Sequence, residues 1–253
     1  MDKKLFHFDL PPELIAQTPL EQREASRLLI CNGKNKSISD SHFSSLPKEI
    51  EHIFALNHTF SSAQNESKKA LLIANDSKVY PARIRIRRKS GSRGEVFLLE
   101  IGSKENYRCL LRPQKKIHLD EILYADREDI LIPLFKVVSL NPCLVTPHNE
   151  NIETLLQDYG EMPLPPYISR DPKKNSACFK ELDIQRYQTT YANHTGSAAA
   201  PTAGLHFTQD ILKECKKTGI DFTTVTLHVS LSTFQPVLCK KIHEHVMHEE
   251  YYF

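Results

Sequence analysis

The stretch Arg83-Ile84-Arg85-Ile86-Arg87 alternates charge with apolar bulk at every residue. That period of two belongs to a β-strand, whose successive side chains point to opposite faces. One face then carries three guanidiniums while the other packs inward. Short runs of similar character follow at Glu95–Ile101, Arg108–Leu111, Ile117, Ile130–Val138 and Leu144–Val145. Gly91, Gly94, Gly102, Pro113, Pro133, Pro142 and Pro147 punctuate them. Many short strands with regular turn signals predict a small antiparallel β-barrel. Both flanks read differently, so the expected architecture is α/β (mixed α+β). A mixed-sheet body of residues 1–80 and 152–253 receives an inserted barrel domain, residues 81–151.

Within the body, residues 11–30 read as helical turns leading into a strand, residues 33–48 as turns with a weak helical stretch, and residues 57–69 as a polar loop. Ala70-Leu71-Leu72-Ile73-Ala74 has the continuous apolar character of a strand buried on both faces. Asn75-Asp76-Ser77 ends it, at the position where open α/β sheets place ligands or simply turn. Residues 151–158 read as a short helix stopped by Gly160, and Pro163-Leu164-Pro165-Pro166-Tyr167-Ile168 as rigid extended chain. Thr208 can cap a helix with inner face Phe207, Ile211, Leu212 and Cys215, which Gly219 terminates. A strand is expected next, with Thr223, Val225, Leu227, Val229 and Leu231 on one face and Thr224, Thr226, His228 and Ser230 on the other.

Lysine and arginine number 33 against 31 acidic residues, a net charge of +2, so any nucleic-acid contact must come from a local basic patch. No run of about 20 apolar residues is present and the first residues lack an apolar leader core, so a cytoplasmic chain without membrane partners is expected. The six cysteines are scattered, which fits reduced core packing better than a zinc knuckle or redox pair.

Three groups of residues can carry chemistry. Arg83, Arg85 and Arg87, with Arg112 nearby, either track phosphates or form a solvated face. Ser197 to Phe207 is dominated by small residues that let backbone approach a ligand, or that serve close packing. It leads into a helix start suited to an anion and matches neither a Walker loop nor GxGxxG. Among the histidines, His228 stands on the polar face of its strand, where an imidazole can handle protons near neutral pH. The spacing of His243, His245 and His248 fits no ordinary metal site, and none is expected.

Several ordered blocks carry a resemblance. They include Phe8-Asp9-Leu10-Pro11-Pro12-Glu13-Leu14, Asn75-Asp76-Ser77-Lys78-Val79, Pro81-Ala82-Arg83 and Pro163 to Ile168. Arg186-Tyr187-Gln188-Thr189, Ala199-Ala200-Pro201-Thr202-Ala203-Gly204-Leu205-His206-Phe207, Thr226-Leu227-His228-Val229 and His245-Val246-Met247-His248-Glu249 complete the set. In this order the chain, from Phe6 to Tyr252, resembles the S-adenosylmethionine:tRNA ribosyltransferase-isomerase family of queuosine biosynthesis. The resemblance implies a monomer that transfers and isomerises the ribosyl part of S-adenosylmethionine onto a 7-aminomethyl-7-deazaguanine at the tRNA wobble position. Epoxyqueuosine-tRNA, adenine and methionine result, and S-adenosylmethionine is a co-substrate with no bound cofactor.

For the site, the resemblance implies His228, His206 and Asp76 as catalytic residues. It puts Thr202, Ala203, Gly204, Tyr187, Gln188, Thr233 and His248 on the substrate, and Arg83, Arg85, Arg87 and Arg112 on tRNA. His228 or His206 would serve as the base at the carbon acidified by the sulfonium. Where members show Gly-x-Gly-Thr-Phe, this chain has Ser230-Leu231-Ser232-Thr233-Phe234. Members also continue past the point where this chain stops, which implies a C-terminally truncated body. The alternative expectation is a catalytically inactive tRNA-binding remnant.

Overall fold

The computed structural model describes residues 1–58, 70–101, 104–127, 130–170, 176–230, 233 and 236–252. The first segment runs through single helical turns at Pro12–Leu14 and Arg23–Ala25. It enters an antiparallel hairpin of β1 (Arg27–Asn32) and β2 (Ser37–His42), followed by helix α1 (Leu46–His58). The weak helical stretch expected up to residue 48 is thus strand and then a helix that continues past it. The rest of the expected loop lies outside the described residues.

Strand β3 (Ala70–Asn75) and strand β4 (Ser77–Val79) flank Asp76. Six strands then close the barrel: β5 (Arg83–Arg88), β6 (Arg93–Leu98), β7 (Tyr107–Arg112), β8 (Ile122–Ala125), β9 (Pro133–Leu140) and β10 (Cys143–Pro147). They run antiparallel in the order β5-β6-β7-β10-β9-β8, and β8 returns to β5. Closure leaves no strand edge open around the ring. The alternation in β5 works as expected, with Ile84 and Ile86 sealed in the interior and the arginines outside. β8 was not expected, because four residues between turns carry too little periodicity to stand out.

The barrel core does not stop at its strands. Helix α2 (Ile152–Tyr159), capped by Asn151, contributes Ile152, Leu155 and Leu156, and Tyr80 and Ala198 join the same cluster. Gly160 begins β11 (Gly160–Glu161), which pairs with β5. A Cβ at Gly160 would collide with the Leu156 carbonyl and lie 2.6 Å from the Pro81 carbonyl, so only glycine lets α2 turn back onto the barrel.

Helix α3 (Ser176–Arg186) precedes β12 (His194–Ser197), which pairs in parallel with β4. Helix α4 (Gln209–Lys217) starts at Thr208, whose hydroxyl accepts from the Ile211 amide, and ends before Gly219 at φ +80°. It covers one side of β3 and β13 (Ile220–Val225), which pair in parallel; the buried cluster there holds Phe43, Ala70, Ile211, Cys215 and Ile220. The other side is open. Leu71 is 55% exposed and Ile73 63%. β3 is therefore not buried on both faces, because two strands and one helical layer cover a single side.

The long strand expected after Gly219 breaks at Thr226. β14 (Leu227–His228) instead pairs antiparallel with β15 (Tyr251–Tyr252). The Asn75 side chain stands in for the missing ladder, donating to the Leu227 carbonyl at 2.7 Å and accepting from its amide at 3.1 Å. Leu231 lies outside the described residues. Of the cysteines, Cys109 and Cys215 pack in cores as expected, while Cys31 is exposed. No helix among the described residues is long and apolar enough to cross a membrane.

Candidate functional site

The carboxyl end of β3 is where the chain concentrates polar groups. Asp76 is 6% exposed, and its backbone ties three strands together: its amide donates to the Val225 carbonyl, and its carbonyl accepts from Asn193 and His194. Its carboxylate Oδ1 accepts from the Thr226 hydroxyl at 2.7 Å, the bond that breaks the strand, and Oδ2 lies 3.9 Å from His194 Nε2. One residue on, Ser77 Oγ sits 2.7 Å from His228 Nδ1 and 2.6 Å from Ser197 Oγ. Ser197 Oγ in turn accepts from the Val229 amide at 2.9 Å.

The His228 ring lies over Gly196, where a Cβ would overlap the ring outright. Glycine is what allows the imidazole to rest on the β12 backbone. Burial pushes the His228 pKa down and His194 adds to this; Asp76 opposes both. The resting imidazole is neutral near pH 7.

A second cluster adjoins this one through β14–β15. Glu250 Oε1 accepts from the Ser230 amide at 2.9 Å and from the Thr233 hydroxyl at 3.4 Å, and lies 3.0 Å from His248 Nε2. Thr233 and His248 are thus gathered by a carboxylate that sequence reading did not single out.

The remaining expected residues fall around these clusters. Gln188 bonds both the amide and the carbonyl of Val79, and so pins β4 from outside. Tyr187 packs with Val79, Met162, Leu164 and Ala200. Burial pushes its phenol up to about 12, and its hydroxyl has no hydrogen-bond partner among the described residues. Thr202, Ala203 and Gly204 form a single helical turn, with Gly204 buried where a Cβ would strike the Tyr191 hydroxyl. Arg23 clamps this turn, donating to Leu205 O at 2.8 Å and to Gln188 O at 3.0 Å.

His206 stands apart from His228 in its packing, with its ring 5.4 Å from that of Phe43. The barrel arginines each face a carboxylate. Arg85 Nε bonds Glu161 at 2.8 Å, Arg87 meets Asp126 at 3.3 Å, and Arg83 and Arg112 share Glu95 at 3.7 and 3.4 Å. Their positive field is locally offset. Among the described residues no three His, Cys, Asp or Glu side chains converge as a metal-ligand set.

Ser77, His194, Gly196, Thr226 and Glu250 are site members not expected from the sequence, and Ser197, expected as part of the small-residue segment, enters through its hydroxyl. Ser77 and His228 are 151 positions apart, so no spacing rule connects them.

A closed barrel set into a mixed α/β body, with a histidine-bearing polar cluster at the end of a parallel strand pair, defines the class. The family model described as queuosine biosynthesis protein matches residues 3–253, and the chain belongs to that family. It is 36% identical over 250 residues to the S-adenosylmethionine:tRNA ribosyltransferase-isomerase of Trichlorobacter lovleyi, covering 98% of this chain and 66% of that protein. It is 36% identical over 247 residues to the protein of the same name from Thermotoga maritima, covering 98% and 65%. With that of Staphylococcus haemolyticus the figures are 37% over 254 residues, 100% and 67%. The chain thus spans about two thirds of the length of the curated relatives it matches. A solved S-adenosylmethionine tRNA ribosyltransferase from Thermotoga maritima is 25% identical, covers 88% of this chain and 58% of its own, and superposes with a TM-score of 0.32.

Proposed function

We propose that this chain carries the reaction for which its relatives are named. In this reading it transfers and isomerises the ribosyl moiety of S-adenosylmethionine onto a 7-aminomethyl-7-deazaguanine in the tRNA wobble position, yielding epoxyqueuosine-tRNA, adenine and methionine. The observation that supports it most is the neutral imidazole of His228 held over Gly196, beside the buried carboxylate of Asp76, at the carboxyl end of a parallel strand.

The reaction needs groups of this kind. The ribosyl carbon beside the sulfonium is acidified and must lose a proton, and adenine leaves more readily when its ring nitrogen receives a hydrogen bond. His228 is the group in contact with the reacting atoms. Asp76 holds ribose hydroxyls or the incoming amine. The unsatisfied Tyr187 hydroxyl, with the backbone of Thr202, Ala203 and Gly204, receives the methionine part. Arg83, Arg85, Arg87 and Arg112 meet tRNA phosphates by exchanging their carboxylate partners for phosphate oxygens, a contact that weakens steeply with salt.

The test is incubation of the chain with S-adenosylmethionine and tRNA bearing the deazaguanine precursor, followed by nucleoside and base analysis. Free adenine together with epoxyqueuosine is the expected outcome. Release of S-adenosylhomocysteine would instead mark methyl transfer and overturn the reading. Binding of the tRNA without release of adenine would identify the chain as a tRNA-binding remnant.

A further inference from the structure

Ser77 and Ser197 are fully buried, and each has few partners. The contacts form one line: Val229 amide to Ser197 Oγ, 2.9 Å; Ser197 Oγ to Ser77 Oγ, 2.6 Å; Ser77 Oγ to His228 Nδ1, 2.7 Å. An amide can only donate, which fixes the first link. What remains is the direction of the other two.

Two arrangements exist. In the first, the Ser197 hydroxyl donates to Ser77 Oγ and the Ser77 hydroxyl donates to His228 Nδ1; every proton has an acceptor. In the second, Nδ1–H donates to Ser77, and Ser77 donates to Ser197. The Ser197 hydroxyl proton then has no acceptor among the described residues, or, if it turns to Ser77, the Ser77 proton has none, although both side chains are sealed from water. A buried donor without an acceptor is the costly case, so the first arrangement prevails. It requires a bare Nδ1 and a proton on Nε2. An imidazolium carries protons on both nitrogens and would force the second arrangement, so the same line of bonds also resists charging of the ring.

We infer that Ser197 and Ser77 are positioning residues that hold His228 as the neutral Nε2–H tautomer, so that its role is to donate a hydrogen bond through Nε2 rather than to remove a proton there. This rests on His228 being the group at the reacting atoms, and it divides the roles. The bare, basic nitrogen is turned inward to Ser77, on the far side of the ring from the donor. A neutral imidazole donating in this manner stabilises negative charge that develops on a partner atom, here a departing adenine nitrogen, while the base for the acidified carbon is another group.

The experiment uses the full chain labelled with ¹⁵N in its histidines. Long-range proton–nitrogen correlation reads the tautomer directly, and a H228Q sample assigns the signals. Wild-type protein is expected to show a protonated-type Nε2 and a bare-type Nδ1 for His228. Ser77→Ala is expected to yield an exchanging mixture of tautomers, with barrel resonances unmoved as the check on folding. Its kcat should fall about a hundredfold, with the KM for S-adenosylmethionine within about twofold, since a wrong tautomer spoils chemistry more than binding. A protonated Nδ1 in the wild type overturns the inference whether or not any variant folds. A tautomer ratio unchanged in S77A overturns it as well. If no adenine is released by wild type while the tautomer is as expected, the failure lies with the proposed reaction and not with the hydrogen-bond line.

Discussion

The barrel and the β3–β13 pair face the same difficulty, because a strand has two faces and two edges to satisfy. The barrel meets it by closure: six strands leave no edge, and Ile84, Ile86, Val96, Leu123, Phe135, Val137 and Val145 fill the interior with essentially no exposure. The parallel pair is covered by α4 on one side and leaves Leu71, Ile73 and Val225 at least half exposed on the other. Yet the polar cluster of Asp76, Ser77 and His228 stands at the end of the pair rather than on the barrel. The molecule keeps its most self-sufficient packing in one part and its chemically versatile groups in another, where strands end and irregular chain can present side chains. The barrel arginines repeat the lesson in charge. Their pairing with Glu161, Asp126 and Glu95, the last shared by Arg83 and Arg112, offsets that surface's charge only in part.

The contrast is breakable, and the largest effect should come from the barrel interior. Phe135→Ala is expected to cost about 3–5 kcal/mol in urea unfolding, because a sealed ring cannot collapse around the cavity. Ile211→Ala in the half-covered cluster should cost about 2 kcal/mol, at the low end for its type, since its surroundings can relax. Equal losses at the two sites would erase the distinction.

Gly196→Ala comes next. The added methyl displaces the His228 ring, for an expected loss of about 1–3 kcal/mol in thermal unfolding. Gly33→Ala, where a Cβ meets nothing within 4 Å, should stay within about 0.5 kcal/mol. A silent Gly196→Ala would mean the ring is not held where the polar cluster needs it.

Acid has a smaller effect. The folded His228 pKa lies below its ordinary 6.5, so the unfolded chain binds more protons just under that value. Its contribution to stability is complete above pH 6.5 and shrinks as pH falls toward the lowered folded value. His228→Gln should flatten that part of a stability–pH curve, whereas Ile86→Val in the barrel should shift the curve without changing its shape.

The smallest effect is expected at Leu71→Ser. Stability in urea unfolding should stay within about 0.5 kcal/mol, since the side chain is already solvated. A loss of several kcal/mol would show that this side is covered after all.

Much of this was legible in the chain. The Arg-Ile alternation specified β5 and its two faces, because a period of two has only one regular structural reading. Thr208 and Gly219 marked the ends of α4 for equally local reasons, a capping oxygen and a left-handed φ. Asp76 and His228 could be singled out one at a time. Their partnership could not, nor could the membership of Ser77, His194 and Glu250 or the role of the Ser197 hydroxyl, since nothing local in a serine's neighbours reports what lies across the fold.

The break at Thr226 shows the same boundary from the other side. Residues 223 to 231 alternate well enough for one strand, but a buried carboxylate claims the Thr226 hydroxyl and the Asn75 amide takes over the ladder. Local periodicity, capping and turn chemistry act within a few residues, and they settled which segments became strands and helices. Which hydroxyl faces which imidazole, and which sheet face stays bare, depends on contacts between segments over a hundred positions apart, where burial and hydrogen-bond satisfaction decide and local preference is silent.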